Sequence, residues 1–162
     1  MLRSLRRQVR RLPVRELIGR VLLDADVFIS FLRGDELSEA SETVVKAMTS
    51  GKVTGLVSSI LYDELISALR SKGASLDLVE EVLAGVAAIP HKALPITAEV
   101  ALIALRLYRE HGGPRKLHYF DSFHVATASV EGIPLVTSDS YILEHSDDFE
   151  IGTIDLRGLL QR

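Results

Sequence analysis

Four carboxylates of this chain stand in surroundings that do not suit a charge. Asp24 closes the apolar run VLLD, and Asp139 follows PLVT in the same manner, so each belongs where a buried strand turns at the carboxyl edge of a sheet. Asp121 lies in YFDSFHVATASVEG, a helical segment with small and apolar residues nearly all round. Glu64 falls on the apolar stripe of Ile60, Leu61, Leu65, Ala68 and Leu69, whereas its neighbour Asp63 falls with Ser67 and Arg70. An ionised side chain in such surroundings needs a partner. Each acid also has an ordinary explanation: a turn-forming aspartate for Asp24 and Asp139, a first-turn acid favoured by the helix dipole for Asp121, and an edge ion pair for Glu64.

Taken together they say more. If the strands of Asp24 and Asp139 are neighbours, and the helices of Glu64 and Asp121 meet the same sheet edge, all four converge. Two unit charges about 4 Å apart repel by roughly 4 kcal/mol even at an effective dielectric of about 20. No cysteine, histidine cluster or lysine run is at hand to offset this. A hard divalent cation does so, and carboxylates with water suit Mg²⁺ or Mn²⁺, ions that also bind substrate phosphate. Asp26, two residues after Asp24, either caps the following helix, the simpler reading, or assists Asp24.

The elements that must position these acids alternate between strand-like and helix-like patterns, which predicts parallel βαβ units. Strands are expected at Val21–Asp24, Lys52–Ser59, KALPIT, IPLVTSD and, at an edge, FEIGTIDL. Helices are expected through FISFLRG, SEASETVVKAMTS, ILYDELISALRS, SLDLVEEVLAGVAAI, AEVALIALRLYREHGG and YFDSFHVATASVEG. Ser59 and Thr97 are in place as caps, and Gly51, Gly73 and Gly112-Gly113-Pro114 as stops.

With 162 residues, 47% hydrophobic and 25% charged, the chain suits one domain with a full-sized core, not a disordered or fibrous protein. Cysteine is absent, which removes disulfides and thiolate metal sites and makes a reducing cytoplasm the expected compartment. No apolar run reaches membrane-spanning length, and the N-terminus lacks the apolar middle of a signal peptide. Residues 1–20 hold seven arginines against Glu16, about +6, so the remainder carries about −9 of the net −3. Such an arm is either a tether for nucleic acid or a frayed, partly helical extension, and we adopt the second reading. The expected organisation is an extension over 1–20 and one domain over 21–162.

The pieces VLLDADVFISFLRG, SSILYDELISAL and YFDSFHVATASVEGIPLVTSD resemble, in order and spacing, the motifs of PIN-domain ribonucleases, nearest to VapC-like toxins of toxin–antitoxin pairs. The likeness covers roughly residues 21–155. It implies a three-layer α/β/α fold with a mainly parallel central sheet. It also implies that Asp24, Glu64, Asp121 and Asp139 are catalytic metal ligands, with Thr137 supporting the pocket. Asp26 departs from the pattern, which often has asparagine there. The implied reaction is Mg²⁺- or Mn²⁺-assisted hydrolysis of RNA to a 5′ phosphate and a 3′ hydroxyl. The implied partners are RNA, a second copy in a homodimer and a small antitoxin whose tail fills the acidic groove. Arg70, Arg109, Arg115 and Lys116 are candidates for contacting either, though solvated surface charge is the simpler reading of each. His118 and His124 are read as packing or surface residues.

Two other readings compete. VLLDADVFI also fits the D-x-D-x-V start of haloacid-dehalogenase-type phosphatases, with Asp24 as nucleophile and Asp26 as acid; that reading needs a later lysine and an acidic pair, which HSDDFE offers loosely. Alternatively, the domain is a catalytically silent module that holds RNA.

Overall fold

In the computed structural model, residues 16–160 are described, so most of the basic arm lies outside the described residues. Five strands form one sheet: β1 (Gly19–Leu23), β2 (Val53–Ser58), β3 (Lys92–Leu94), β4 (Leu135–Thr137) and β5 (Thr153–Asp155). Their order is β3-β2-β1-β4-β5 and every pairing is parallel. The chain therefore builds outward from β1 in one direction, then returns to build in the other. The reversal falls between β1 and β4, where Leu22 pairs with Leu135 and Leu23 with Val136. In open α/β sheets, ligands bind in the crevice at the carboxyl end of such a reversal.

Among the described residues seven α-helices accompany the sheet: α1 (Ala25–Arg33), α2 (Ser38–Thr49), α3 (Ile60–Ser71), α4 (Leu76–Ala88), α5 (Ala98–His111), α6 (Tyr119–Glu131) and the short α7 (Ser140–Glu144). The period-2 geometry of β1 sorts them into two layers. Val21 and Leu23 face one core with Phe28 of α1, Val44 of α2, Leu61 of α3 and Val86 of α4. Leu22, with Leu56 and Leu135, faces the opposite core of Val125 and Ala128 from α6 and Ile142 from α7. Ala104 of α5 packs on Ala126 of α6 in a third cluster. The three-layer α/β/α architecture with a parallel sheet is the one expected. Strands covered on both faces read as continuous apolar runs, which is why VLL and LVT carry no alternation.

Local details depart from the sequence reading. β1 starts at Gly19, two residues before Val21, and Leu17 is already buried in the core. Ser75 and Thr97 cap α4 and α5 through their hydroxyls. Ser59 does not cap α3, because its backbone (φ −61, ψ −15) is already helical rather than extended. The Ile60 N–H instead meets the Ser58 hydroxyl at 3.4 Å. The segment after Asp139 forms α7, and only Thr153–Asp155 of FEIGTIDL pairs as a strand. Gly132 takes the left-handed conformation (φ +65) that ends α6 and returns the chain to β4.

Candidate metal centre

Asp24 is the first residue beyond β1 and occupies the N-cap of α1 with extended backbone. Its Oδ1 accepts from the Ala25 N–H at 2.7 Å, and its Oδ2 accepts from the Thr137 hydroxyl at 2.7 Å. The capping expected of Asp26 therefore belongs to Asp24. Asp26 reaches across to β4, where its Oδ2 accepts from both the backbone N–H and the hydroxyl of Ser138. Its Oδ1 is buried without a hydrogen-bond partner among the described residues.

Glu64 projects from α3, its carboxylate accepting from His124 Nε2 of α6 at 2.6 Å. Asp63, one residue earlier, is exposed, as the stripe argument requires. Asp121 is buried in the first turn of α6, with Oδ2 3.1 Å from His118 Nδ1. Asp139 caps α7, accepting from the Ile142 N–H at 2.9 Å, while its own N–H donates to Thr137 Oγ1 at 3.0 Å. Donor atoms of Asp24, Glu64, Asp121 and His124 all lie within 4.8 Å of one another, and those of His118, Asp121 and Asp139 form a second such group. Asp121 is common to both. Elements from four stretches of sequence thus converge at the β1–β4 reversal.

His124, expected from the sequence to pack or to lie at the surface, does more than either. It is fully buried, yet its Nε2 faces Glu64 and lies 3.7 Å from Asp24 Oδ1. The signal was present in the spacing: three residues after Asp121, it shares that acid's helix face. His118 is exposed as expected, but paired. Ser138 carries no signal of its own in the sequence, since a serine between a threonine and an aspartate looks like any turn.

The electrostatics show an incompletely balanced cluster. Burial, with the neighbouring charges of Asp24 and Glu64, pushes Asp121 up to about 8. Burial also raises Asp24 despite its hydrogen bonds, and burial with the charge of Asp24 raises Asp26 to about 7. Burial by itself would lower His124, but the bond to Glu64 and the charges of Asp24, Glu64 and Asp121 outweigh it and bring the ring to about 9. Among the described residues no lysine or arginine pairs with any of the four acids. An all-oxygen set of converging carboxylates that destabilise one another's charge fits a hard divalent cation.

The phosphatase reading finds no such support. The acids of HSDDFE lie in turns, with Asp148 exposed and bound to His145 Nδ1 at 2.9 Å, and among the described residues no lysine pairs with Asp24. Of the surface candidates, Arg70 bonds the Ala74 carbonyl at the end of its own helix, Arg109 is exposed on α5, and Arg115 and Lys116 are exposed in the turn that enters α6.

A family model for the PIN domain matches residues 21–147. The chain belongs to the PIN-domain family. Solved structures agree on the fold. VapBC2 from Rickettsia felis, bound to a DNA fragment from its promoter, superposes with a TM-score of 0.61 at 14% identity over 83% of this chain and 96% of its own. VapBC-1 from nontypeable Haemophilus influenzae gives 0.59 at 15% over 85% and 98%. VapBC-5 from Mycobacterium tuberculosis, a member of the VapBC family of toxin-antitoxin systems, gives 0.54 at 20% over 83% and 97%. No curated protein sequence matches the chain.

Proposed function

We propose that this chain is a divalent-metal-dependent endoribonuclease and the toxin of a toxin–antitoxin pair. The observation that carries the reading is the convergence of Asp24, Glu64 and Asp121 at the β1–β4 reversal of a PIN-family sheet, with Asp139 joined to the same cluster through Asp121. Asp24, Glu64, Asp121 and Asp139 would hold Mg²⁺ or Mn²⁺. Such an ion makes a water a better nucleophile and stabilises charge on the leaving 3′ oxygen of an RNA phosphodiester.

The chain's own residues do the positioning. Thr137 and the Ala25 N–H hold both oxygens of Asp24 and so fix its carboxylate beside Glu64 and Asp121. Asp26 braces Ser138 between the two strand ends and so sets where Asp139 begins. His118 is exposed beside Asp121, and Arg115 and Lys116, exposed just before it in the chain, would serve as donors for RNA phosphate.

The toxin assignment rests on likeness to toxin–antitoxin structures and on one surface. A groove of about 430 Å³, lined by Phe28, Ile29, Leu32, Leu65, Leu69 and Val86, opens between α1, α3 and α4 with Arg33 and Lys72 among its walls. It suits an apolar helix carrying acidic residues, as an antitoxin would present. We also propose a homodimer and a cytoplasmic setting. No helix among the described residues is long and apolar enough to cross a membrane.

The test incubates end-labelled single-stranded RNA with purified protein and Mg²⁺ or Mn²⁺, with chelator, and with Asp121→Asn. Metal-dependent cleavage lost in the variant supports the nuclease. RNA that is bound but intact in every lane, over several RNAs and with no antitoxin co-purified, turns the reading to a silent RNA-holding module. The toxin role is tested separately by co-expression with the product of the adjacent reading frame, which must bind the chain and suppress cleavage.

A further inference from the structure

His124 is the buried polar group of the site for which the reaction has no assigned use. Two roles compete for it, because its Nε2 lies close enough to the three carboxylates to join them as a ligand. The other nitrogen decides between them. Nδ1 is buried and has no hydrogen-bond partner among the described residues. A ring that ligates through Nε2 carries its proton on Nδ1, and there a buried N–H would meet no acceptor, which is costly. Ligating histidines almost always donate their second N–H to a carboxylate or carbonyl, and this one has neither. With a divalent cation in the site, whose charge disfavours the doubly protonated ring of the metal-free protein, the opposite tautomer keeps the proton on Nε2, 2.6 Å from Glu64 Oε2, and leaves on Nδ1 only an unused lone pair.

The acids differ in how they are held. Asp24 has the Thr137 hydroxyl and the Ala25 N–H, Asp139 caps α7, and Asp121 has His118. Glu64, the longest of the four side chains, has only His124 as a hydrogen-bond donor among the described residues.

We propose that His124 is the positioning residue for Glu64, its Nε2–H aiming the carboxylate into the metal centre from the facing helix, and that the ring is not a metal ligand. This rests on the reading that Glu64 binds the cation.

The test measures Mn²⁺ binding to the full chain by electron paramagnetic resonance, without RNA, so that a failure to cleave RNA leaves it untouched. His124→Phe should weaken Mn²⁺ by about 10- to 100-fold, and should add nothing in a Glu64→Gln background. Electron spin-echo spectra of the wild-type Mn²⁺ complex should lack the coupling of a directly bound ¹⁴N, a readout that needs no variant to fold. A direct ¹⁴N coupling, or losses that multiply in the double variant, overturns the positioning role in favour of ligation. Unchanged Mn²⁺ affinity in His124→Phe overturns it in favour of mere packing. Unchanged affinity in Glu64→Gln overturns the metal reading of Glu64 and the proposal with it.

Discussion

Thr137 and Asp24, 113 residues apart in sequence, are joined by a hydrogen bond of 2.7 Å across the paired ends of β4 and β1. The same hydroxyl accepts from the Asp139 N–H at 3.0 Å, so one buried side chain sets the relation between the first and last acids of the cluster.

Thr137→Val keeps the shape and removes the hydroxyl. It should cost about 1–3 kcal/mol by leaving Asp24 and the Asp139 N–H each short of a partner. Cleavage should fall as well, whereas Thr137→Ser stays near wild type. Thermal melts alongside RNA cleavage rates check this; a valine variant as stable and active as the parent would sink it.

Asp121→Asn is expected to reduce RNA cleavage by more than about 100-fold while preserving the fold, since it removes a charged donor shared by both groups of potential ligands. Circular dichroism and cleavage assays on one preparation separate loss of chemistry from loss of structure.

Metal-free protein should become less stable as pH rises. Asp121 and Asp26 have folded pKa values of about 8 and about 7 against an ordinary 3.8, so the native state holds protons that the unfolded chain releases above about pH 4. His124, raised from 6.5 to about 9, gives stability that is complete below 6.5 and lost as pH climbs through 9. All three push the same way. The melting temperature in chelator should therefore decline from about pH 5 to pH 9, and Mn²⁺ should recover most of the loss at the alkaline end. A flat or rising profile would contradict the charge balance described.

Asp26→Asn removes a buried carboxylate while its side-chain oxygen still accepts from Ser138. The asparagine form should melt higher than the parent by an amount that grows with pH: ionisation near 7 in the fold against 3.8 in the unfolded chain makes its advantage at pH 9 exceed that at pH 5 by about 3 kcal/mol, or roughly 6–12 °C. Equal shifts at both pH values would show that Asp26 carries no such burden.

Much of this fold is written in local patterns. VLL and LVT are apolar without alternation because both faces are covered, and the periodicity of ILYDELISALRS separated Glu64 from Asp63 correctly. Asp24 and Asp139 were recognisable from their place after strands. Their adjacency was not, because it depends on β4 pairing with β1 rather than with β3, a tertiary choice that no local window contains. The part His124 plays is hidden in the sequence, because a lone histidine on an apolar helix usually packs; only the arrival of Glu64 from α3 gives it a bonding role. The cap expected at Ser59 failed because composition does not reveal that its backbone is already helical.

The strand order also governs when the centre exists. β1 emerges first from the ribosome, and β2 and β3 can pair beside it while β4 is still unmade. A nascent or prematurely ended chain that stops before Leu135 carries Asp24 and Glu64 but lacks Thr137 and Asp139, and the edge of β1 where they dock stays open. Translation thus delivers Asp24, Glu64 and Asp121 before the strand that ties Asp24 to Asp139 exists.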